Sequence, residues 1–136
     1  MEIVHIILGK ANPNRTNGVN KVVNSLATYQ TKKGVKISVW GITKNPIHDY
    51  PERNYKTILF KETSKIFLPK GIKEAIQTKD KSTVFHFHGG FLPQFILITR
   101  LILKQGLSYV FTPHGSYNTI AMKRSNWKKK MYISLF

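Results

Sequence analysis

Two spacings of hydrophobic residues alternate along the chain, and together they predict a fold built from strands and helices in turn. Residues 3–8 are a continuous run of β-branched and aliphatic residues, typical of a strand that is buried on both faces. After a loop of turn-forming residues, apolar residues recur at the spacing of one helix face: Val19, Val22, Val23, Leu26 and Ala27. We expect that helix to end at Lys32-Lys33-Gly34, where cations and a glycine suit a helix C-terminus.

The same alternation continues through the rest of the chain. It predicts further strands over 35–42, 55–60, 83–88 and 107–112, and helices over 69–78, 91–104 and from about 125 onward. Pro69 is expected at the first position of its helix, because that position needs no backbone N–H donor. The last helix is expected to carry Trp127, Met131, Tyr132 and Leu135 on one side and Lys128-Lys129-Lys130 on the other. This order indicates an α/β fold, a Rossmann-like parallel sheet with helices on both faces.

Three loops of this predicted fold are candidates for a binding site. Parallel sheets bind ligands beyond the carboxyl ends of their strands, and the loops after the first, fourth and fifth strands all contain glycine. These loops hold Asn17-Gly18, His88-Gly89-Gly90 and Pro113-His114-Gly115-Ser116. Asn17-Gly18 precedes a helix, whose N-terminus favours anions, although a plain turn explains the dipeptide as well. Neither a dinucleotide fingerprint nor a P-loop is present.

Histidines supply the most reactive side chains of these loops. His86 and His88 are two residues apart on a strand and share a face, so they could share a metal, but no nearby carboxylate suggests a third ligand. The alternative is that His86 is hydrogen-bonded on the sheet face and His88 lines the strand end. His114 is expected to project into the crevice, where it could bind a sugar hydroxyl when neutral or a phosphate when protonated. A Ser-His-Asp hydrolase is disfavoured, because G-x-S-x-G is missing.

Composition and charge narrow the class of partner. The 136 residues suit one domain, and the absence of cysteine excludes a disulfide scaffold, thiolate metal sites and a catalytic thiol. A net charge of +16, from 22 basic and 6 acidic residues, predicts a polyanionic partner: nucleic acid, an anionic membrane or a phosphorylated small molecule. The densest basic cluster consists of Lys123-Arg124 and Lys128-Lys129-Lys130. The alternative interpretation of this cluster is a solvated helix face without a partner. No signal peptide or membrane-spanning stretch is visible, so we expect a cytoplasmic protein that contacts the inner face of the plasma membrane peripherally.

Several of these segments, taken in order, resemble glycosyltransferase family 4. The resemblance rests on the segments NGVNKVV at 17–23, VFHFHG at 84–89, FTPHGS at 111–116 and MKRSNWKKK at 122–130, the last as in bacterial surface-polysaccharide enzymes. It covers nearly the whole chain, as the N-terminal half of a two-domain GT-B fold. The family's donor-binding C-terminal domain is absent from these 136 residues, so we expect an incomplete acceptor-side domain that is inactive alone.

The resemblance implies a retaining transfer of a sugar from a nucleotide-sugar to a saccharide or polyprenyl-phosphate-linked acceptor, with no cofactor and no metal. By the same resemblance, His114 corresponds to the active-site histidine, next to Gly115 and Ser116. Asn17 and Gly18 correspond to the loop beside the donor phosphates, although Asn17 stands where relatives often have glycine. His88 and Gly89 correspond to the mouth of the cleft, and Lys123 and Arg124 to residues that meet acceptor phosphate.

Two other functions are compatible with the sequence. The first alternative is a non-catalytic basic α/β module that binds nucleic acid or anionic phospholipid. The resemblance makes nucleic acid the less favoured partner of the two, and lipid phosphate the more favoured partner of the last helix. A metal hydrolase that uses His86 and His88 ranks third.

Overall fold

A computed structural model of the chain describes residues 1–14, 18–90, 92–114, 123 and 126–135. The described residues form five strands, β1 Glu2–Leu8, β2 Lys36–Thr43, β3 Lys56–Lys61, β4 Thr83–His88 and β5 Ser108–Thr112. They also form four helices, α1 Gly18–Lys32, α2 Ile72–Gln77, α3 Pro93–Lys104 and α4 Asn126–Leu135. The element order and the strand bounds agree with the prediction to within a residue or two.

The five strands form one parallel sheet in the order β3-β2-β1-β4-β5. The chain builds outward from β1 to β2 and β3, and then returns to the other side of β1 to add β4 and β5. The β1–β4 boundary is therefore the point where the strand order reverses, and α/β sheets bind ligands outside the carboxyl ends of the strands at such a point. The predicted Rossmann-like α/β class is confirmed.

Helices cover both faces of the sheet, because alternate residues of each buried strand enter different cores. Val4 and Ile6 of β1 point into the larger core, which also receives α2 and α3 and centres on Trp40 and Phe85. Ile3 and Ile7 point to the opposite face, where α1 packs. His5 lies between Ile3 and Ile7 on this second face, and it is fully buried.

Helix α1 begins and ends as predicted, but it turns a different stripe toward the sheet. Its buried residues are Asn20, Val23 and Ala27, whereas Val22, which was expected on the apolar face, is 49% exposed. The stripe continues at helical spacing to Gln30, whose side chain reaches His5. The prediction was wrong here because the buried amide of Asn20 and the half-buried amide of Gln30 flank the apolar residues, and a hydropathy pattern counts an amide as a surface residue.

The prediction for the second helix needs a correction at its start. Helix α2 begins at Ile72 and not at Pro69, with Gly71 before it at a φ of 83°. Lys70 instead pairs with Lys61 at the end of β3 through a backbone hydrogen bond of 3.0 Å, which keeps the segment extended. Pro69 therefore lies in the turn ahead of the helix, where its carbonyl accepts from the Ile72 N–H at 3.3 Å.

Helix α4 confirms the last predicted helix, and two residues of its apolar side are exposed. Trp127 is 67% exposed and Met131 is 53% exposed. The side chains of Tyr132 and Leu135 lie outside the described residues. Lys128 places its Nζ 5.4 Å from the centre of the Trp127 ring, so the aromatic and basic sides of the helix meet in a cation–π contact. Within the described ranges, no helix combines the length and apolarity needed to cross a bilayer.

Candidate functional site

A chain of three histidines starts in the interior of the sheet and ends at its carboxyl edge. His5 Nδ1 lies 2.9 Å from His88 Nε2, and His88 Nδ1 lies 2.9 Å from His114 Nε2. At the inner end, His5 Nε2 lies 2.8 Å from Oε1 of Gln30 in α1. We call this set, Gln30, His5, His88 and His114, the histidine chain. It crosses the β1–β4 boundary, where the strand order reverses.

The fold explains why these side chains meet. His5 lies mid-strand in β1, and His88 is the last residue of β4 on the same face of the sheet. His114 follows β5 by two residues and adopts a φ of 48°, a left-handed conformation that histidine tolerates better than most residues. Gly89, directly after His88, has a φ of 119° and donates its N–H to the Thr112 carbonyl at 3.0 Å. This hydrogen bond joins the ends of β4 and β5 and so places His114 over His88.

His86 lies beside the histidine chain without belonging to it. Its position in β4 is the register partner of His5, and its ring stacks on that of His88 with centroids 4.0 Å apart. His86 Nε2 lies 2.8 Å from the hydroxyl of Thr112, on the other side from His5. The prediction that His86 is a hydrogen-bonded residue of the sheet face is confirmed.

Burial keeps these imidazoles neutral at neutral pH. Desolvation, followed by the neighbouring histidines, lowers the pKa of His88 to about 2 and that of His86 to about 4. Burial also lowers the pKa of His5, although its hydrogen bond with Gln30 acts in the opposite direction. The pKa of His114 is lowered by burial as well. Each ring can therefore accept a hydrogen bond at one nitrogen while donating at the other.

Three of the histidines are close enough to raise the question of a metal. One nitrogen from each of His5, His86 and His88 lies within 4.8 Å of the others, and Gln30, Thr112 and His114 hold the opposite nitrogens as outer-shell partners would. The ring orientations suit a hydrogen bond between His5 and His88 better than a shared metal ion. A metal lies in the plane of each imidazole that it binds. The His86 and His88 rings are instead stacked face to face, with 29° between their planes. The 2.9 Å between His5 and His88 nitrogens is also shorter than the roughly 3.3 Å between two ligands of a tetrahedral zinc.

A shallow cleft of about 220 Å³ opens at the same edge, on the α3 side of the sheet. Its lining comes from the ends of β1 and β3 and the start of α3: Leu8, Glu62, Lys65, Leu92, Pro93 and Gln94. Among the described residues that line it there is no histidine. The cleft is smaller than the 300–1,000 Å³ of typical small-molecule sites. The histidine chain and the cleft therefore flank the carboxyl end of β1 from opposite faces.

The loop after β1 is fastened to the loop after β2. Lys10 forms a 2.9 Å ion pair with Asp49, and its backbone carbonyl accepts from the Tyr50 hydroxyl. Gly9 donates its N–H to the Ile42 carbonyl at 2.7 Å and passes so close to Gly41 that a Cβ there would overlap the Gly9 carbonyl oxygen. These contacts lead the chain across the end of the sheet toward α1.

The structure places two of the predicted loop residues with clear consequences. Gly18 is the exposed first residue of α1, and no atom of the described residues lies within 4 Å of where its Cβ would be. Gly89 is required by its left-handed backbone, and its N–H is already used by Thr112. Gly18 and His114 both lie at the carboxyl edge, as the sequence predicted.

His88 lies deeper than the sequence suggested. It is 2% exposed and both ring nitrogens are hydrogen-bonded, so it lies beneath His114 and not at the mouth of the cleft. The physical reason is that the Gly89–Thr112 contact draws β5 and His114 over it. Its role in substrate binding stays a prediction, and any such role would act through His114.

Other predicted residues remain untested. Asn17, Gly115, Ser116 and Arg124 lie outside the described residues, and Lys123 is described as an exposed helical residue. Sequence reasoning missed His5 and Gln30. The available signal was a histidine inside an otherwise aliphatic strand, together with β1 and β4 being expected neighbours in this fold.

Comparison with known proteins returned no match, whether with family models, with curated proteins or with solved structures.

Proposed function

We propose that this chain is the acceptor-side domain of a retaining glycosyltransferase that acts in cell-surface polysaccharide synthesis. The observation that carries the proposal is the histidine chain, which ends in His114 at the carboxyl edge beside the point where the strand order reverses. A neutral imidazole held from behind by a buried partner suits the binding of a sugar hydroxyl, because its orientation is fixed before the ligand arrives.

The start of α1 supports the same proposal. Gly18 offers exposed backbone at the start of α1, where the helix dipole favours an anion such as a diphosphate or a lipid phosphate. The donor nucleotide-sugar would be held mostly by a second domain of the family type, which these 136 residues do not contain. The domain would thus contribute acceptor binding and His114, and would show no transfer by itself.

The exposed helix α4 favours contact with lipid phosphate. Trp127 and Met131 are exposed beside Lys128 and Lys130, an arrangement that suits the interface of an anionic membrane. A lipid-linked acceptor is presented at such a surface. The alternative, a nucleic-acid module, uses the same cations but gives no role to a buried histidine chain.

Binding of a short-chain prenyl-diphosphate-linked saccharide, measured by isothermal titration calorimetry, separates the two functions. The proposal expects saturable binding that His114→Ala weakens at least fivefold, and weak oligonucleotide binding that His114→Ala leaves unchanged. If the protein binds oligonucleotides with a steep salt dependence and does not bind the saccharide, the transferase proposal is wrong and the nucleic-acid module is favoured. Tyr29→Ala, which removes an exposed ring near the far end of α1, is the matched control.

A further inference from the structure

The direction of every hydrogen bond in the histidine chain follows from its inner end. The Gln30 atom that faces His5 is Oε1, which only accepts, so His5 Nε2 must carry the proton. Since His5 is neutral, its Nδ1 is bare and must accept from His88 Nε2. His88 Nδ1 is then bare in turn and accepts from His114 Nε2. The remaining ring nitrogen, Nδ1 of His114, is left with a lone pair.

We propose that Gln30 is a positioning residue that sets the tautomer of His5, His88 and His114, so that His114 presents Nδ1 as a hydrogen-bond acceptor at the carboxyl edge. The ligand group it selects is a hydrogen-bond donor, namely a hydroxyl. This rests on the proposed function only in identifying that hydroxyl as one of the acceptor saccharide.

The opposite orientation of the same amide would give the opposite site. With the Gln30 NH₂ group toward His5, every proton in the chain would move to the other nitrogen of its ring, and His114 would present an N–H. An N–H suits a phosphate oxygen, whereas a bare nitrogen repels it. One amide in α1, two imidazoles away from the edge, thus decides whether the edge prefers a hydroxyl or an anion.

The hydrogen bonds of the histidine chain also determine which ring can hold an added proton. Protonated His114 still donates from Nε2 to His88, so the chain stays intact. A second proton on His88 or His5 would place two N–H groups face to face across 2.9 Å. The inner rings are also the more deeply buried, with His5 fully buried and His88 2% exposed. A proton taken from a ligand hydroxyl therefore stays on His114.

Nitrogen-15 NMR of the histidine rings tests this directly, because bare and protonated ring nitrogens have well-separated chemical shifts. In the unliganded chain at pH 7.5 we expect bare Nδ1 and protonated Nε2 at His5, His88 and His114. Gln30→Glu, which can only accept, should retain this pattern. Gln30→Met, whose thioether cannot donate and accepts only weakly, should give a mixture of tautomers at His114. Gln77→Met, an exposed change at the end of α2, should change nothing.

A protonated Nδ1 at His114 in the unaltered chain would overturn the proposal, as would an unchanged His114 tautomer in Gln30→Met. His48 contacts Tyr50 and does not belong to the histidine chain. Unchanged chemical shifts of the His48 ring show in each variant that the fold is intact. No saccharide is present in this experiment, so its outcome is independent of the transferase proposal. Conversely, the NMR experiment could show the predicted tautomers while calorimetry shows no saccharide binding. The role of Gln30 would then stand, and the transferase proposal would be wrong.

Discussion

His5 and His86 are register partners on adjacent parallel strands, yet their hydrogen bonds lead in different directions. Their ring centroids are 5.2 Å apart, and His5 bonds to Gln30 and His88 while His86 bonds to Thr112. The sheet therefore holds four imidazoles in two separate hydrogen-bonded groups, of which one reaches the carboxyl edge.

Removing the middle ring should destabilise the fold. His88→Ala leaves His5 Nδ1 and His114 Nε2 without their partner and opens a cavity, so we expect a loss of about 2–4 kcal/mol in the free energy of unfolding. Urea unfolding at pH 7 measures it. His114→Ala, at the exposed end, should cost less than half as much. Equal losses for the two variants would contradict the buried position of His88.

Acidification should destabilise the protein before its carboxylates titrate. Unfolded histidines gain protons below their ordinary pKa of 6.5, whereas His88, with its pKa near 2, stays neutral in the fold. The contribution of neutral His88 to the free energy of unfolding is thus fully present above pH 6.5. It declines as the pH falls below 6.5, by about 1.4 kcal/mol per pH unit. His88→Gln should reduce the slope between pH 6.5 and 5 in urea unfolding. An unaltered slope would assign the pH dependence to other groups.

Glu2 should contribute stability that is lost at lower pH. Burial raises its pKa, but the hydrogen bonds from Lys79 at 2.8 Å and Ser38 at 3.0 Å, with the charges of Lys79 and Lys36, bring the net pKa below the ordinary 4.5. Its stabilising effect is therefore present above pH 4.5 and declines as the pH falls below it.

We expect Glu2→Gln to cost about 1–3 kcal/mol at pH 7 and clearly less at pH 3, as measured by urea unfolding. Glu52→Gln, whose carboxylate is 84% exposed, is the control and should change stability by less than about 0.5 kcal/mol. A Glu2→Gln effect of the same size at both pH values would show that the charge of Glu2 contributes nothing.

Removal of metal should leave the protein unchanged, because His5 and His88 share a proton in the arrangement described. We expect dialysis against EDTA to alter neither the melting temperature nor the histidine ring spectrum. One equivalent of zinc should bind weakly, with a dissociation constant above the micromolar range. Tight stoichiometric binding that His86→Ala abolishes would mean that the rings turn to share a metal, and would return the metal hydrolase to consideration.

Helix α4 should bind anionic membranes through its lysines. Each basic residue near such a surface contributes about 1 kcal/mol, so Lys128→Gln and Lys130→Gln together should weaken vesicle binding roughly 25-fold. Sedimentation with phosphatidylglycerol vesicles measures this. The matched control removes two exposed lysines elsewhere, Lys44→Gln and Lys56→Gln. An equal loss in the control would mean that net charge, and not α4, drives the binding.

The fold could be predicted largely because it depends on local spacing. The aliphatic run of β1 and the glycine that ends α3, Gly106, each determine an element boundary from a few adjacent residues, whereas α3 begins at Pro93 and not at the predicted residue 91. The α1 stripe could not be predicted, since the burial of Asn20 and the contact of Gln30 with His5 depend on the tilt of the helix and on partners elsewhere in the chain. The same holds for the site: His114 was placed by its strand end, whereas the pairing of His5 with His88 joins residues 83 positions apart.

The role of His114 in catalysis is tested by sugar transfer with the product of the entire gene that encodes these 136 residues. Transfer from a radiolabelled nucleotide-sugar to a polyprenyl-phosphate-linked saccharide is measured for the unaltered protein, for His114→Ala and for the control Tyr29→Ala. We expect transfer that His114→Ala slows about 100-fold in kcat and that Tyr29→Ala leaves unchanged. Undiminished transfer by His114→Ala, or no transfer from any nucleotide-sugar, would contradict this role.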